Sequence, residues 1–141
     1  MIILDTNVIS ELMREHADPI VRVWAMGQRQ ENLITTTINV MELRAGVEKL
    51  LVSRRRRELD TALCRTLNEF FGGRVLRFDL KAAYAAAEWQ ASRRRLGKTI
   101  ATTDAQIAGI AISRRIPIAT RDVHDFEGLP LRAVNPWDAP A

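Results

Sequence analysis

Short, wholly apolar runs alternate along this chain with longer stretches in which apolar positions recur every three or four residues. The opening run, Ile2-Ile3-Leu4 closed by Asp5, predicts a short strand of the kind that lies in a parallel sheet covered on both faces. Asn7 can cap the helix that follows, through Val8, Ile9, Leu12 and Met13. A second helix is predicted from Pro19, with Ile20, Val23, Trp24 and Met26 as its apolar stripe. Asn32–Thr36 predicts the next strand and Thr37–Leu51 the next helix. Arg54–Phe71 is helical and is ended by Gly72-Gly73. Arg74–Phe78 reads as a third strand, and the alanine-rich Leu80–Leu96 as a helix that stops at Gly97. Asp104–Arg115 follows as a helix, Ile116–Ala119 as a fourth strand and Ala133–Val134 as a short fifth one. Strand–helix alternation implies parallel pairing with right-handed crossovers, so the expected fold is α/β: a three-layer α/β/α sandwich around a mostly parallel sheet. With no repeat or linker in view, residues 1–141 are expected to form a single domain, with Pro136–Ala141 as a frayed tail.

Four acidic residues stand out against this pattern because each falls where an element begins or ends, or on an apolar helix face: Asp5, Glu42, Asp104 and Asp122. Asp5 and Asp122 each follow an apolar run, which places them at the carboxyl ends of strands, where open α/β sheets gather their sites. Asp104 lies in the first turn of its helix, where a carboxylate serves a cation site or simply favours the helix dipole. Glu42 shares a helix side with Ile38, Met41 and Ala45, so it faces either a site or an internal arginine, although Val40, Leu43 and Val47 form a rival apolar side. Brought together, these groups make a concentration of negative charge that a cation would stabilise. Oxygen-rich, histidine-poor ligands suit Mg²⁺ or Mn²⁺ rather than Zn²⁺, and neither His16 nor His124 has zinc-site spacing. Asp125 could replace Asp122 or cap a turn around Phe126. Thr6, Asn7 and Thr120 could orient the carboxylates, or else serve as cap and strand residues.

Composition adds a positively charged background. Of the 141 residues 47% are hydrophobic and 27% charged, which excludes a disordered chain, and the net charge is +4. Only Lys49, Lys81 and Lys98 among the 21 basic residues are lysine, an excess of arginine that suits phosphate recognition, although a GC-rich genome gives the same bias. The runs Arg54–Arg57 and Arg93–Arg95 fan around their helices, so Arg44 and Arg121, close in sequence to the acids, are the better phosphate-contact candidates. The one cysteine, Cys64, excludes an internal disulfide and is expected to be buried. No apolar run approaches a membrane span and no leader is evident, so the expected location is cytoplasmic. A hard-metal site on a basic protein points to phosphodiester chemistry. A metal-dependent DNA nuclease or phosphatase, and a non-catalytic nucleic-acid-binding scaffold, remain the alternatives to a ribonuclease.

Ile3-Leu4-Asp5-Thr6-Asn7, Glu42 on an early helix, Thr103-Asp104 with Ile107-Ala108, and Thr120-Arg121-Asp122-Val-His-Asp125-Phe126 together resemble the PIN-domain ribonucleases. The length and the closing Val134-Asn135-Pro136-Trp137 are similar to the VapC/FitB-type toxins of type II toxin–antitoxin modules. The resemblance implies a PIN-like sandwich, with one or two Mg²⁺ or Mn²⁺ ions held by Asp5, Glu42, Asp104 and Asp122. It further implies hydrolysis of RNA by a metal-activated water, homodimerisation, and inhibition by a cognate antitoxin that also binds operator DNA. Many relatives have Asn where this chain has Asp122. Leu12, Met13 and Trp24 are the residues expected to receive the antitoxin.

Overall fold

The computed structural model describes residues 1–139. Five parallel strands form its centre: β1 (Ile2–Leu4), β2 (Leu33–Thr36), β3 (Val75–Leu76), β4 (Ile118–Ala119) and β5 (Ala133–Val134), in the spatial order β3-β2-β1-β4-β5. Six helices complete the fold: α1 (Thr6–Met13), α2 (Pro19–Met26), α3 (Thr37–Glu48), α4 (Arg54–Arg65), α5 (Leu80–Arg95) and α6 (Thr102–Arg114).

Strand alternation divides the core in two. Ile3, Ile34 and Ile118 lie in register and face α5 and α6, where they meet Ala82, Trp89, Ile107 and Ile110. Leu4, Leu33 and Ala119 face the opposite way, onto Val8, Ile9, Val21, Leu63 and Phe71 from the other helical layer. Both faces of the sheet are therefore buried, which is why most of its strands read as unbroken apolar runs rather than as alternations, β2 ending instead in the buried Thr35-Thr36. The alanines of α5 serve close approach: a Cβ built on Gly109 of α6 would lie 2.3 Å from the Ala82 carbonyl oxygen and 2.7 Å from the Ala86 Cβ. Counting outward from β1, the chain fills one side of the sheet with β2 and β3 and the other with β4 and β5. That reversal opens a crevice at the carboxyl ends of β1 and β4.

Several expectations need correction. The N-cap of α1 is Asp5, whose Oδ1 accepts the Thr6 N–H, and Asn7 lies inside the helix with its side chain turned to the β4 loop. On α2 the buried residue is Val21, with Trp24 and Ala25 half-buried, while Ile20, Val23 and Met26 are exposed. Both stripes obey helical spacing, and contact with the sheet layer selects between them. The helix beginning at Arg54 widens into a single π turn over Thr66–Phe70, closed by the Phe71 N–H on the Thr66 carbonyl at 3.0 Å. Cys64 is exposed. The expected frayed tail is instead a 3₁₀ turn at Pro136–Asp138, with Pro136 buried and Trp137 packed on the second core; the apolar ring supplies burial that tail composition did not suggest. Residues 140 and 141 lie outside the described residues. Among the described residues no helix is long and apolar enough to cross a membrane.

Candidate active site

Asp5 anchors the crevice. Its backbone N–H bonds the Ala119 carbonyl at 2.9 Å, which extends the β1–β4 pairing by one residue and fixes where the carboxylate emerges. Three donors then hold that buried carboxylate: the Thr6 N–H (2.9 Å) and Asn39 Nδ2 (3.1 Å) on Oδ1, and Thr120 Oγ1 (2.7 Å) on Oδ2. A carboxylate offers about four acceptor positions, so roughly one is left for an outside partner. Burial raises the pKa of Asp5 above the usual value, against the lowering effect of its hydrogen bonds.

Glu42 reaches the same crevice from α3, where its Oε1 accepts the Thr6 hydroxyl at 2.7 Å. The rival face of α3 is the inward one: Leu43 and Val47 are buried, and Met41 and Ala45 are exposed. Asp122 belongs to the loop after β4, and its Oδ2 accepts Asn7 Nδ2 at 3.1 Å. Asn7 Oδ1 in turn accepts the Arg121 N–H at 3.2 Å, and Thr120 Oγ1 accepts the Asp122 N–H at 3.1 Å. Thr6, Asn7 and Thr120 thus each donate a side-chain hydrogen bond to one of the acids.

Asp104 projects from the first turn of α6, which begins at Thr102, two residues earlier than expected. It is half-buried, and among the described residues no group donates a hydrogen bond to its carboxylate. Its pKa is pushed up to about 6, first by burial and then by the negative charges of Asp125, Asp5, Glu42 and Asp122. All four predicted acids therefore share one field, with Asp125 as a fifth contributor. Among the described residues, however, no group of three or more Asp, Glu, His or Cys side chains is arranged to hold a metal ion. The donor set fits a hard cation in charge and chemistry, but the carboxylates stand apart from a closed ligand cage.

Two participants escaped the sequence reading. Asn39 and Thr36 are fully buried. Thr36 Oγ1 accepts the Asn39 N–H at 3.2 Å and donates to Asn39 Oδ1 at 2.6 Å, which turns the Asn39 amide toward Asp5 and Thr6 Oγ1. The available signal was the spacing 39, 43, 47: one polar residue on an otherwise apolar helix face. Arg44, the other phosphate-contact candidate, pairs with carboxylates outside the acid cluster. Its guanidinium is committed to Glu48 (2.6 Å) and to Asp60, tying α3 to α4. Arg121 is exposed at the rim, with its guanidinium over the Trp137 ring. Leu12 and Met13 are half-buried beside a cleft of about 410 Å³ that Met26 and Phe70 also line, while Trp24 packs against the second core.

The chain is 42% identical over 139 residues to the plasmid stability protein StbB of Pseudomonas syringae pv. tomato, covering 99% of this chain and all of that one. It is 38% identical to the VapC ribonuclease Y4jK of Sinorhizobium fredii (98% and 99% covered) and 36% identical to the toxin FitB of Neisseria gonorrhoeae (97% and 99% covered). Among solved structures it superposes on FitAcB from Neisseria gonorrhoeae with a TM-score of 0.90 at 35% identity, over 99% of this chain and 100% of that one. It superposes on FitAB bound to an IR36 DNA fragment with a TM-score of 0.91 at 33% identity, over 100% and 99%. The PIN domain family matches residues 2–129. With the acid crevice at the sheet's switch point and likeness along nearly its whole length, the chain belongs to the PIN-domain family, of the VapC/FitB type.

Proposed function

We propose that this protein is a Mg²⁺- or Mn²⁺-dependent endoribonuclease and the toxin of a toxin–antitoxin pair. The observation that carries the reading is the crowding of Asp5, Glu42, Asp104, Asp122 and Asp125 around one crevice, where each neighbouring charge that shifts Asp104 raises its pKa. Such a field is relieved by a cation, and family membership supplies the reaction class. Asp5 and Asp104 would be the direct ligands for one or two ions, with Glu42 and Asp122 engaging them directly or through water.

A bound ion would lower the pKa of a water and stabilise the negative charge that develops on the phosphoryl and leaving oxygens. The chain's own groups do the rest. Asp5, held by three donors, sets the position of the site. Glu42, steadied through Oε1, takes the water proton on Oε2. The water oxygen bonds to phosphorus, the P–O3′ bond breaks, and the leaving oxygen takes a proton from solvent water. The products are a 3′-hydroxyl and a 5′-phosphate. Arg121 contacts a substrate phosphate from the rim.

The test is cleavage of an end-labelled RNA and a DNA of the same sequence, with the product ends mapped. The reading expects RNA cutting with 5′-phosphate ends. Cyclic phosphate ends, which require attack by the 2′-hydroxyl, would overturn the water mechanism, and preferential DNA cutting would move the protein to the DNA-nuclease alternative.

The partner is an antitoxin segment that lays apolar side chains into the Leu12–Met13 cleft and onto the exposed Ile20, Val23 and Met26 of α2. A basic residue of that segment reaching the acid crevice would compete with metal and inhibit. An inhibitor that leaves Mg²⁺ affinity unchanged contradicts this. The antitoxin is also taken to bind operator DNA, and the toxin to be a homodimer, which sedimentation at micromolar concentration tests; a monomer refutes it.

A further inference from the structure

We propose that Trp137 is a positioning residue: its ring holds the Arg121 guanidinium beside the acid crevice, so that the edge of the fork clasps a phosphate of the RNA strand. The inference rests on the ribonuclease reading and extends it to a residue outside the acid cluster.

The two side chains lie in the segments that follow the adjacent strands β4 and β5. Thr120, which bonds Asp5, is tied to β5 through its N–H on the Val134 carbonyl at 2.8 Å. Arg121 follows Thr120, and its own N–H is fixed on Asn7 Oδ1. Three residues beyond Val134, the Trp137 N–H bonds Asn135 Oδ1 at 2.9 Å, Pro136 is buried and the indole packs on the second core. Both backbones are thereby set relative to the crevice. The Arg121 guanidinium carbon stands 4.8 Å from the Trp137 ring centroid.

That stack explains an otherwise odd charge arrangement. Arg121 adjoins Asp122 and shares its loop with Asp125, in a strongly negative field, yet among the described residues it forms no ion pair with any carboxylate. An exposed arginine with no other attachment would fold back onto those acids, neutralise them and compete with a cation. The ring face gives it a different resting place. Stacking occupies the flat face of the guanidinium, whereas its N–H donors lie in the plane and point outward, the geometry that matches phosphate oxygens. The substrate group recognised is the phosphodiester backbone flanking the scissile bond, without regard to base.

Because Trp137 also packs, substitutions must separate stacking from apolar contact: Trp137→Leu keeps an apolar side chain without the ring, and Trp137→Phe keeps a ring. Cleavage kinetics at saturating Mg²⁺, and RNA affinity across a salt series, are measured for wild type, Arg121→Ala, both Trp137 variants and the Arg121→Ala/Trp137→Leu double. Arg121→Ala and Trp137→Leu should each raise KM about three- to tenfold, leave kcat within about twofold, and flatten the salt slope by about 0.7. Trp137→Phe should recover most of the affinity, and the double should be no worse than Arg121→Ala alone. A Trp137→Leu enzyme with unchanged KM, a Phe variant as weak as Leu, or multiplicative losses in the double would overturn the clasp while leaving the ribonuclease reading intact. Wild-type protein that neither binds nor cuts RNA would overturn both.

Discussion

Replacing Asp104 with Asn should stabilise this protein while destroying its site. The Asp104 carboxyl is pushed from 3.8 to about 6 by burial and by four neighbouring carboxylates. A folded-state pKa above the unfolded value means that the folded state binds the proton more tightly. The stabilisation is then complete below about pH 4 and is lost as pH rises through about 6. At pH 7.5 the ionised Asp104 opposes folding. Converting the shift directly gives about 3 kcal/mol, and because the group is half exposed, solvent screening reduces this to about 1–2 kcal/mol. Asn keeps the shape and removes the charge. The expected result in metal-free buffer at pH 7.5 is a melting temperature about 3–8 °C above wild type. The gap should narrow as pH falls through about 6 and close below about 4, and Mg²⁺ should raise the melting temperature of wild type more than that of the variant. Thermal melts from pH 4 to 8, with EDTA or Mg²⁺, measure all three. A variant no more stable than wild type at pH 7.5, or a gap that ignores pH, would refute the electrostatic argument.

Other substitutions test separate links. Asn39→Ala removes the amide shared by Asp5 and Thr6 and strands a buried Thr36 hydroxyl, so it should destabilise by about 1–3 kcal/mol in urea melts and lower kcat more than tenfold; full activity would show that Asp5 needs no such support. Gly109→Ala drives a methyl group into the Ala82 carbonyl and should destabilise by about 3 kcal/mol or more, since both sides of the contact are backbone of packed helices; a loss under about 1 kcal/mol would contradict that rigidity. Arg44→Ala should leave RNA affinity and its salt slope unchanged, because Glu48 and Asp60 already hold that guanidinium; a flattened slope would return Arg44 to the substrate surface.

The sandwich was legible because every strand but β2, which ends in Thr35-Thr36, is a short apolar run, and a sheet buried on both faces leaves little else for such runs to do. The acids were legible because Asp5 and Asp122 terminate those runs. What stayed hidden depended on contacts between distant segments. The α2 stripe at Ile20, Val23 and Trp24 and the one led by Val21 are equally helical, and only docking on the sheet layer separates them. Asn39 looks like an ordinary helix residue until the 39, 43, 47 face is known to point inward. Trp137 reads from sequence as part of a loose tail, because tail composition says nothing about an apolar ring finding a core. Arg44 seemed poised for phosphate because sequence proximity to Glu42 cannot reveal that α4 brings Asp60 to it.

The central claim is that the acid crevice is a cation-dependent ribonuclease centre. Its most direct test is cleavage of an end-labelled RNA by the purified toxin, freed of antitoxin, in Mg²⁺, in Mn²⁺ and in EDTA, beside Asp5→Ala. The account predicts cutting in either metal, none in EDTA, and none by the variant. Cutting that survives EDTA or the loss of Asp5, or no cutting of any RNA under any of these conditions, would contradict it.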